Sequence, residues 1–525
     1  MSLFRNFLNV GAWTVGSRVL GFVRDALVAA VLGTGPAADA YVAAFRFPNL
    51  FRRLFAEGAF NTAFIPLFAK ALEQQGPDPA RLWAARIMSW LVLVVGIVTV
   101  AVEIAMPWVL LPFVPGFADH PAKYELTVLL TRICFPYLMC MSLMAAYAAI
   151  LNALGRFTAG AFAPVLLNVV MIVFMAPLVV GPPKSAVEVA VWVSVGTLGG
   201  GLAQLAFVYF AIRRAGFVPR LHWPRLDGEV KRFWVRAVPA VLAGGITQIN
   251  IFVGTIIASA ADSAMAYLYY ADRLYQLPLG IIGIAIGTVL LPELSRHLSG
   301  GRFAEAEASQ NQALLISMLL SVPAAAALIA LAEPIVRVLF ERGEFTSAST
   351  LATAQALIWF SAGLPAYVLI RVLQPGFFAR EDTVTPTIFA GVSAAVNIVV
   401  SLLLFPTLQH VGIAIATSLA AWANAVLLGV WLWRRRHFRL PGADWRRHGL
   451  ILMLSAAMAT VLYLAALPLA PAFAADAPLP VQLVALGGLV ALGLVLYFAG
   501  VHVLGVQRLG QLLSRFRRRR SKPAA

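Results

Sequence analysis

Apolar stretches long enough to cross about 30 Å of hydrocarbon recur from one end of this 525-residue chain to the other. Within a bilayer every backbone N–H and C=O must find its partner inside the protein, so successive runs of this length can fold only as a bundle of spanning helices. Hydropathy and loop punctuation predict fourteen spans, at 4–32, 38–70, 82–112, 125–151, 159–180, 187–212, 234–260, 265–296, 310–340, 349–378, 385–406, 409–433, 449–470 and 480–507. With 61% hydrophobic and 12% charged residues, nothing is left over for a separate soluble domain. The expected fold class is an all-α polytopic membrane protein of about 14 transmembrane helices.

The net charge of +17 raises the question of nucleic acid, but the basic residues lie in short loops and after the last apolar run. Nucleic acid is therefore not an expected partner. Six Lys/Arg fall in 213–232, six in 434–447 and seven in 508–522, whereas the opposite loops hold about three, Lys123, Lys184 and Arg342. By the positive-inside rule both termini are expected in the cytoplasm. The first segment carries Arg18, Arg24 and Asp25 and runs too long for a cleaved signal, so it is expected to stay as the first helix.

A shift of 226 residues aligns the second span with the eighth: Ala40-Tyr41 with Ala266-Tyr267, Thr62 with Thr288, Pro66 with Pro292, Lys70 with Arg296. This predicts two pseudo-symmetric six-helix halves, 1–213 and 214–436, followed by two further helices and a basic tail over 437–525. Parallel repeats of this kind belong to alternating-access transporters, whose substrate site lies near the membrane midplane.

Charge inside the spans points the same way. Arg18, Arg24 and Asp25 interrupt the first span, and Asp39, Arg46, Arg52, Arg53 and Glu57 the second. The later spans add Asp272, Arg273 and Arg371. Asp39, Arg46, Arg53 and Glu57 are separated by seven, seven and four residues and so share one helix face, which is expected to be wet. A central Arg costs roughly 2.5–3.5 kcal/mol even on lenient insertion scales, so this many imply a hydrated cavity or a shared anionic ligand.

The planar guanidinium fork matches phosphate oxygens and keeps its charge when partly desolvated. Asp25, Asp39, Glu57 and Asp272 can pair with the arginines when the cavity is empty. The plainer reading is that Arg46, Arg52 and Arg53 snorkel to the interface or tie helices together. Asn152, Asn168, Thr247, Gln248, Asn250, Thr255 and Asn397 read as interhelical hydrogen-bonding residues.

No catalytic or nucleotide-binding motif occurs in a credible context, so the chain is not expected to be an enzyme and no cofactor is implied. Cys134 and Cys140 lie six apart on one predicted helix, which suits two buried small residues better than a bridge. The seven histidines show no ligand spacing, and no metal is expected.

Several stretches resemble the MurJ/MviN lipid II flippases, a branch of the multidrug/oligosaccharidyl-lipid/polysaccharide exporter superfamily. They are Ser17-Arg18-Val19-Leu20-Gly21-Phe22-Val23-Arg24-Asp25-Ala26, Phe47-Pro48-Asn49-Leu50 with Arg52-Arg53, Phe55-Ala56-Glu57-Gly58-Ala59-Phe60, Pro115-Gly116-Phe117-Ala118-Asp119, Tyr269-Tyr270-Ala271-Asp272-Arg273-Leu274 and Pro375-Gly376-Phe377. The resemblance implies flipping of an undecaprenyl-pyrophosphate-linked peptidoglycan precursor across the bacterial inner membrane. It implies that Arg18, Arg24, Arg52 and Arg273 hold the pyrophosphate, and that Asp25, Asp39 and Glu57 serve gating or arginine pairing; the charge pattern adds Arg46, Arg53, Asp272 and Arg371 as candidates for gating or ion pairing. The resemblance also implies a prenyl-tail groove on the last two spans, with lipid II, membrane lipids and cell-wall synthesis proteins as partners.

The chain departs from the family pattern in three places. Positions 237–261 contain no Asp or Glu where some relatives bind sodium, Gln276 replaces an expected acid, and Arg371 stands where Lys is usual. Two other readings are a flippase for a different polyprenyl-pyrophosphate-linked oligosaccharide and a non-transport membrane scaffold.

Overall fold

The computed structural model describes residues 3–52, 60–182, 184–474 and 477–507. Among these, every regular element is helical. Two compact units emerge, the first made of 1–266 with 342–346 and the second of 267–341 with 347–525.

The first unit contains α1 (Leu3–Leu32), α2 (Pro36–Arg52), α3 (Phe60–Gln75), α4 (Pro77–Leu110), α5 (Pro121–Cys134), α6 (Tyr137–Ala153), α7 (Thr158–Val180), α8 (Ala186–Arg214) and α9 (Gly228–Ser259). Prolines open α2, α4 and α5, where the missing N–H costs nothing because the first turn has no intrahelical acceptor for it. Ser185 and Glu188 form a reciprocal capping box on α8, and Asp227 accepts from the Val230 N–H at the start of α9. The expected span 125–151 is divided into α5 and α6 at Phe135-Pro136, because proline cannot donate the next helical hydrogen bond. Within this unit α1 packs along α7, α7 along α8, and α2 along α5.

The basic segment between α8 and α9 is strapped onto α4. Trp90 Nε1 donates to the Arg225 carbonyl at 3.0 Å, the His222 N–H to Ser89 Oγ at 3.0 Å, and Arg86 Nη1 to Asp227 at 2.8 Å.

The second unit contains all but the opening of α10 (Ala264–Ser299), then α11 (Phe303–Ala330), α12 (Ala332–Phe340), α13 (Ser347–Phe378), α14 (Val384–Arg434), α15 (Gly442–Ala466) and α16 (Leu479–Val503). The 51 residues of α14 are not one rod. Gln409 has φ 46° and ψ −126°, and Ser393 Oγ donates to the Ala420 carbonyl at 2.7 Å. Residues 27 apart on a straight helix would be about 40 Å apart, so the chain reverses at Gln409 into two antiparallel arms. The arms coincide with the expected spans 385–406 and 409–433. The α15–α16 pair is anchored on α11 through Leu315, Leu319, Leu462, Leu489 and Tyr497, whose hydroxyl donates to the Leu319 carbonyl at 2.9 Å. Its remaining faces, with Val484, Leu494 and Val495, are exposed and apolar.

Nine helices among the described residues are long and apolar enough to cross a membrane, counting α5–α6 as one and α14 as one. The chain is a multi-pass membrane protein. Cys134 and Cys140 are buried and unbridged.

Candidate functional site: a buried Arg24–Asp25–Asn168 cluster on α1 and α7

In the first unit, Arg24 and Asp25 are adjacent on α1 and almost completely enclosed, at 8% and 3% exposure. Arg24 Nη2 and Nε reach Asp25 Oδ1 at 2.7 and 3.1 Å, and Nη1 donates to Asn168 Oδ1 at 2.9 Å. Asn168, on α7, turns its amide nitrogen back onto the Ser17 carbonyl of α1 at 2.8 Å. Asn168 packs over Gly21, where a Cβ would stand 3.4 Å from Nδ2, at ordinary contact distance. One asparagine thus bridges the guanidinium and the α1 backbone, so Arg24 is held by a carboxylate and an amide.

Arg18 lies in different surroundings. It is exposed and lines a cavity of about 460 Å³ with Thr14, Ser17, Asn152, Phe157 and Pro164. Arg52 is half-buried at the end of α2 and donates from Nε to Asn49 Oδ1 at 3.0 Å, while Asn49 Nδ2 donates to the Phe45 carbonyl. Arg46 is half-buried on the same helix. Arg53 and Glu57 lie outside the described residues.

Asp39 is fully enclosed, so the wet face expected on the second span does not extend to it. Its carboxylate accepts from Lys123 Nζ at 2.8 Å and from the N–H groups of Ser263 and Ala266 at 2.8 and 2.9 Å. Its cationic partner is a lysine of α5, where pairing with an arginine was expected. Lys123 also stands 4.1 Å from the centre of the Phe117 ring and 3.5 Å from Asp262. The sequence reading placed Lys123 in an outer loop. The signal that could have found it is the scarcity of basic residues on that side, which makes a retained lysine there a candidate for a buried pair.

In the second unit, Asp272 and Arg273 are both half-buried on α10. Asp272 accepts from the Gln276 amide, and the Arg273 guanidinium lies over the Tyr269 ring at 4.7 Å. Gln276 therefore acts as a neutral donor to Asp272 at the position where an acid was expected. Arg371, on α13, is exposed and crosses α10 at Gly283, where a Cβ would come within 2.7 Å of Arg371 Cδ. Tyr275 and Tyr367 stack beside this region at 5.8 Å. No group of three His, Cys, Asp or Glu residues among the described residues could hold a metal ion.

A sequence model of the family described as "Lipid II flippase MurJ" matches residues 28–476. A Rhizobium meliloti protein named "Probable lipid II flippase MurJ" is 48% identical over 519 residues, covering 99% of this chain and 96% of the relative. The chain belongs to the lipid II flippase MurJ family.

A Rhizobium tropici MurJ relative of the same name is 45% identical over 100% of this chain and 98% of its own length. A solved MurJ structure in an inward closed conformation superposes with a TM-score of 0.78 at 24% identity, covering 94% of this chain and 98% of that one, so the fold is shared. The MurJ family match starts after Arg18, Arg24 and Asp25 and stops before α16, while the Rhizobium MurJ relatives span both regions.

Proposed function

We propose that this chain flips lipid II, the undecaprenyl-pyrophosphate-linked peptidoglycan precursor, from the cytoplasmic to the periplasmic leaflet of the bacterial inner membrane by alternating access. The observation that carries the reading is family membership over 28–476 together with full-length relatives named for lipid II flipping. The buried Arg24, held by Asp25 and Asn168, supports it chemically: a guanidinium kept charged inside a membrane helix favours a ligand with phosphate oxygens.

In this reading Arg18, Arg24, Arg52 and Arg273 hold the pyrophosphate. Asp25 occupies the Arg24 fork when no substrate is present, and Asp272 and Arg371 pair or exchange partners during the cycle. Arg46, Arg53 and Glu57 share that pairing role, and Asp39 acts through Lys123. The six-helix halves 1–213 and 214–436 are the bodies that move, and 437–525 carries the prenyl tail along α15 and α16. The Lys/Arg excess in 213–232, 434–447 and 508–522 supports cytoplasmic termini. Cell-wall synthesis proteins are the further partners this role implies.

The test is outward exposure of lipid II in cells that depend on this chain alone, read with a toxin that cleaves the precursor only from the periplasmic side. Cleavage is expected, and it should stop promptly when the protein is inactivated. Cleavage that persists after inactivation would move the assignment to another lipid-linked sugar.

A further inference from the structure

Arg18 and Arg24 are six residues apart on α1, yet their surroundings differ in kind. Arg24 is enclosed and doubly held. Arg18 is exposed, and beside it α1 and α7 leave a cavity of about 460 Å³, within the roughly 300–1,000 Å³ of ordinary small-ligand pockets. Val10, Thr14 and Ser17 form one wall on successive turns of α1. Phe157, Ala161 and Pro164 form the other at the start of α7, and Asn152 at the end of α6 adds to the lining of what is an open cleft.

The lining is mixed in a way that narrows the occupant. Two hydroxyls, one carboxamide and one guanidinium stand among apolar walls that include the partly exposed Phe157 ring. A phosphate alone would engage Arg18 and leave most of the volume empty. A prenyl chain would desolvate Ser17 and Asn152 without returning hydrogen bonds, at a cost of about 1–3 kcal/mol per group. A sugar suits both sets of atoms, with hydroxyl and amide groups for Thr14, Ser17 and Asn152 and an apolar ring face for Phe157.

Covalent connectivity adds the second constraint. Lipid II carries its sugar directly on the pyrophosphate, so a phosphate held on Arg18 places the next group beside Arg18, and the cavity is there. We propose that the cavity between α1 and α7 is the subsite for the pyrophosphate-linked sugar of lipid II, with Arg18 at its phosphate end. The proposal rests on the lipid II reading above and adds what part of the headgroup the first unit recognises.

The experiment compares binding of lipid II and of undecaprenyl pyrophosphate, which lacks the sugar, to the full chain in detergent or nanodiscs. For the double variant Thr14→Val, Asn152→Leu, lipid II affinity is expected to fall about tenfold while undecaprenyl pyrophosphate affinity holds. Ala161→Phe, which takes up part of the cavity volume and leaves its polar residues unchanged, is expected to give the same selective loss, and thermal unfolding checks that both variants fold. Parallel loss of both ligands would assign the cavity to the phosphate or the prenyl chain and overturn the proposal, as would unchanged affinity for both. Arg18→Ala is expected to weaken both ligands. A wild-type chain that binds neither would overturn the lipid II reading itself, and the sugar subsite with it.

Discussion

Lys123 Nζ lies 2.8 Å from Asp39 Oδ2, and neither side chain is more than 6% exposed. Burial of two opposite charges is tolerable only when the remaining donors and acceptors are met, and here they are. Asp39 also accepts two backbone N–H groups at 263–266, and Lys123 faces the Phe117 ring and Asp262. The pair ties α2 to α5 and to the segment that opens α10.

Removing one partner leaves the other charge enclosed and uncompensated. Asp39→Ala is expected to destabilise the protein by about 3–5 kcal/mol. Asp39→Asn should cost less, because its carbonyl still accepts one backbone N–H. Thermal unfolding of the purified variants checks the order, and equal midpoints for Ala, Asn and wild type would refute the pair's role.

Asn168 is the bridge between Arg24 and the Ser17 carbonyl. Asn168→Leu should leave the helix packing largely intact yet release Arg24, lowering undecaprenyl pyrophosphate affinity by roughly tenfold, the scale of one or two hydrogen bonds to a charged group. Asn168→Asp keeps an acceptor for Arg24 but adds a second carboxylate, so it should compete with the ligand and bind no better than the Leu variant. Wild-type affinity in both variants would show that Arg24 needs no such holder.

Gly33 and Gly343 meet where the end of α1 touches 342–346. Both have positive φ, 60° and 58°, and a Cβ on Gly33 would collide with the Glu344 carbonyl, one on Gly343 with the Ala30 carbonyl. The Glu344 N–H donates to that same Ala30 oxygen at 2.9 Å. Alanine at either site faces both the left-handed backbone and the collision, so each substitution should cost on the order of 1–3 kcal/mol. Gly76, with φ 86° and open space around it, is the control: Ala there meets only the backbone term. Equal losses at all three positions would mean that the close approach is not felt.

Glu341, in the turn after α12, predicts a pH effect. Burial pushes its carboxyl up, but hydrogen bonds from Ser347 and Thr350, both at 2.6 Å, and the Arg337 guanidinium outweigh this and hold it below the ordinary carboxylate range. A depressed folded-state value means the contribution is fully present above the unfolded value of roughly 4.3 and is lost as pH falls through the lower folded one. The unfolding midpoint should therefore drop more steeply on acidification in the wild type than in Glu341→Gln. Superimposable pH profiles would exclude the linkage.

Much of this architecture was legible in the chain. Apolar run length fixes where helices must be, because an unpaired backbone cannot sit in hydrocarbon, and most predicted spans fall on helices, although 125–151 and 310–340 are each divided in two. Even the reversal inside α14 falls at the boundary expected between spans 385–406 and 409–433. The arginines of α1 and α2 stood out because charge within an apolar run is costly wherever it lies. Their family motifs could be read for the same reason, since each is a local string.

Only the tertiary structure decided who holds whom. Asn168 is 144 residues from Arg24, and Lys123 is 84 from Asp39. Nothing in local periodicity reports a partner on another helix, because that depends on how helices rotate and slide when they pack. Asp39 lies seven residues from Arg46 on one helix face, yet one is enclosed against Lys123 and the other half-buried. Spacing determines which residues share a face, and neighbouring helices determine whether that face meets water, lipid or a buried charge.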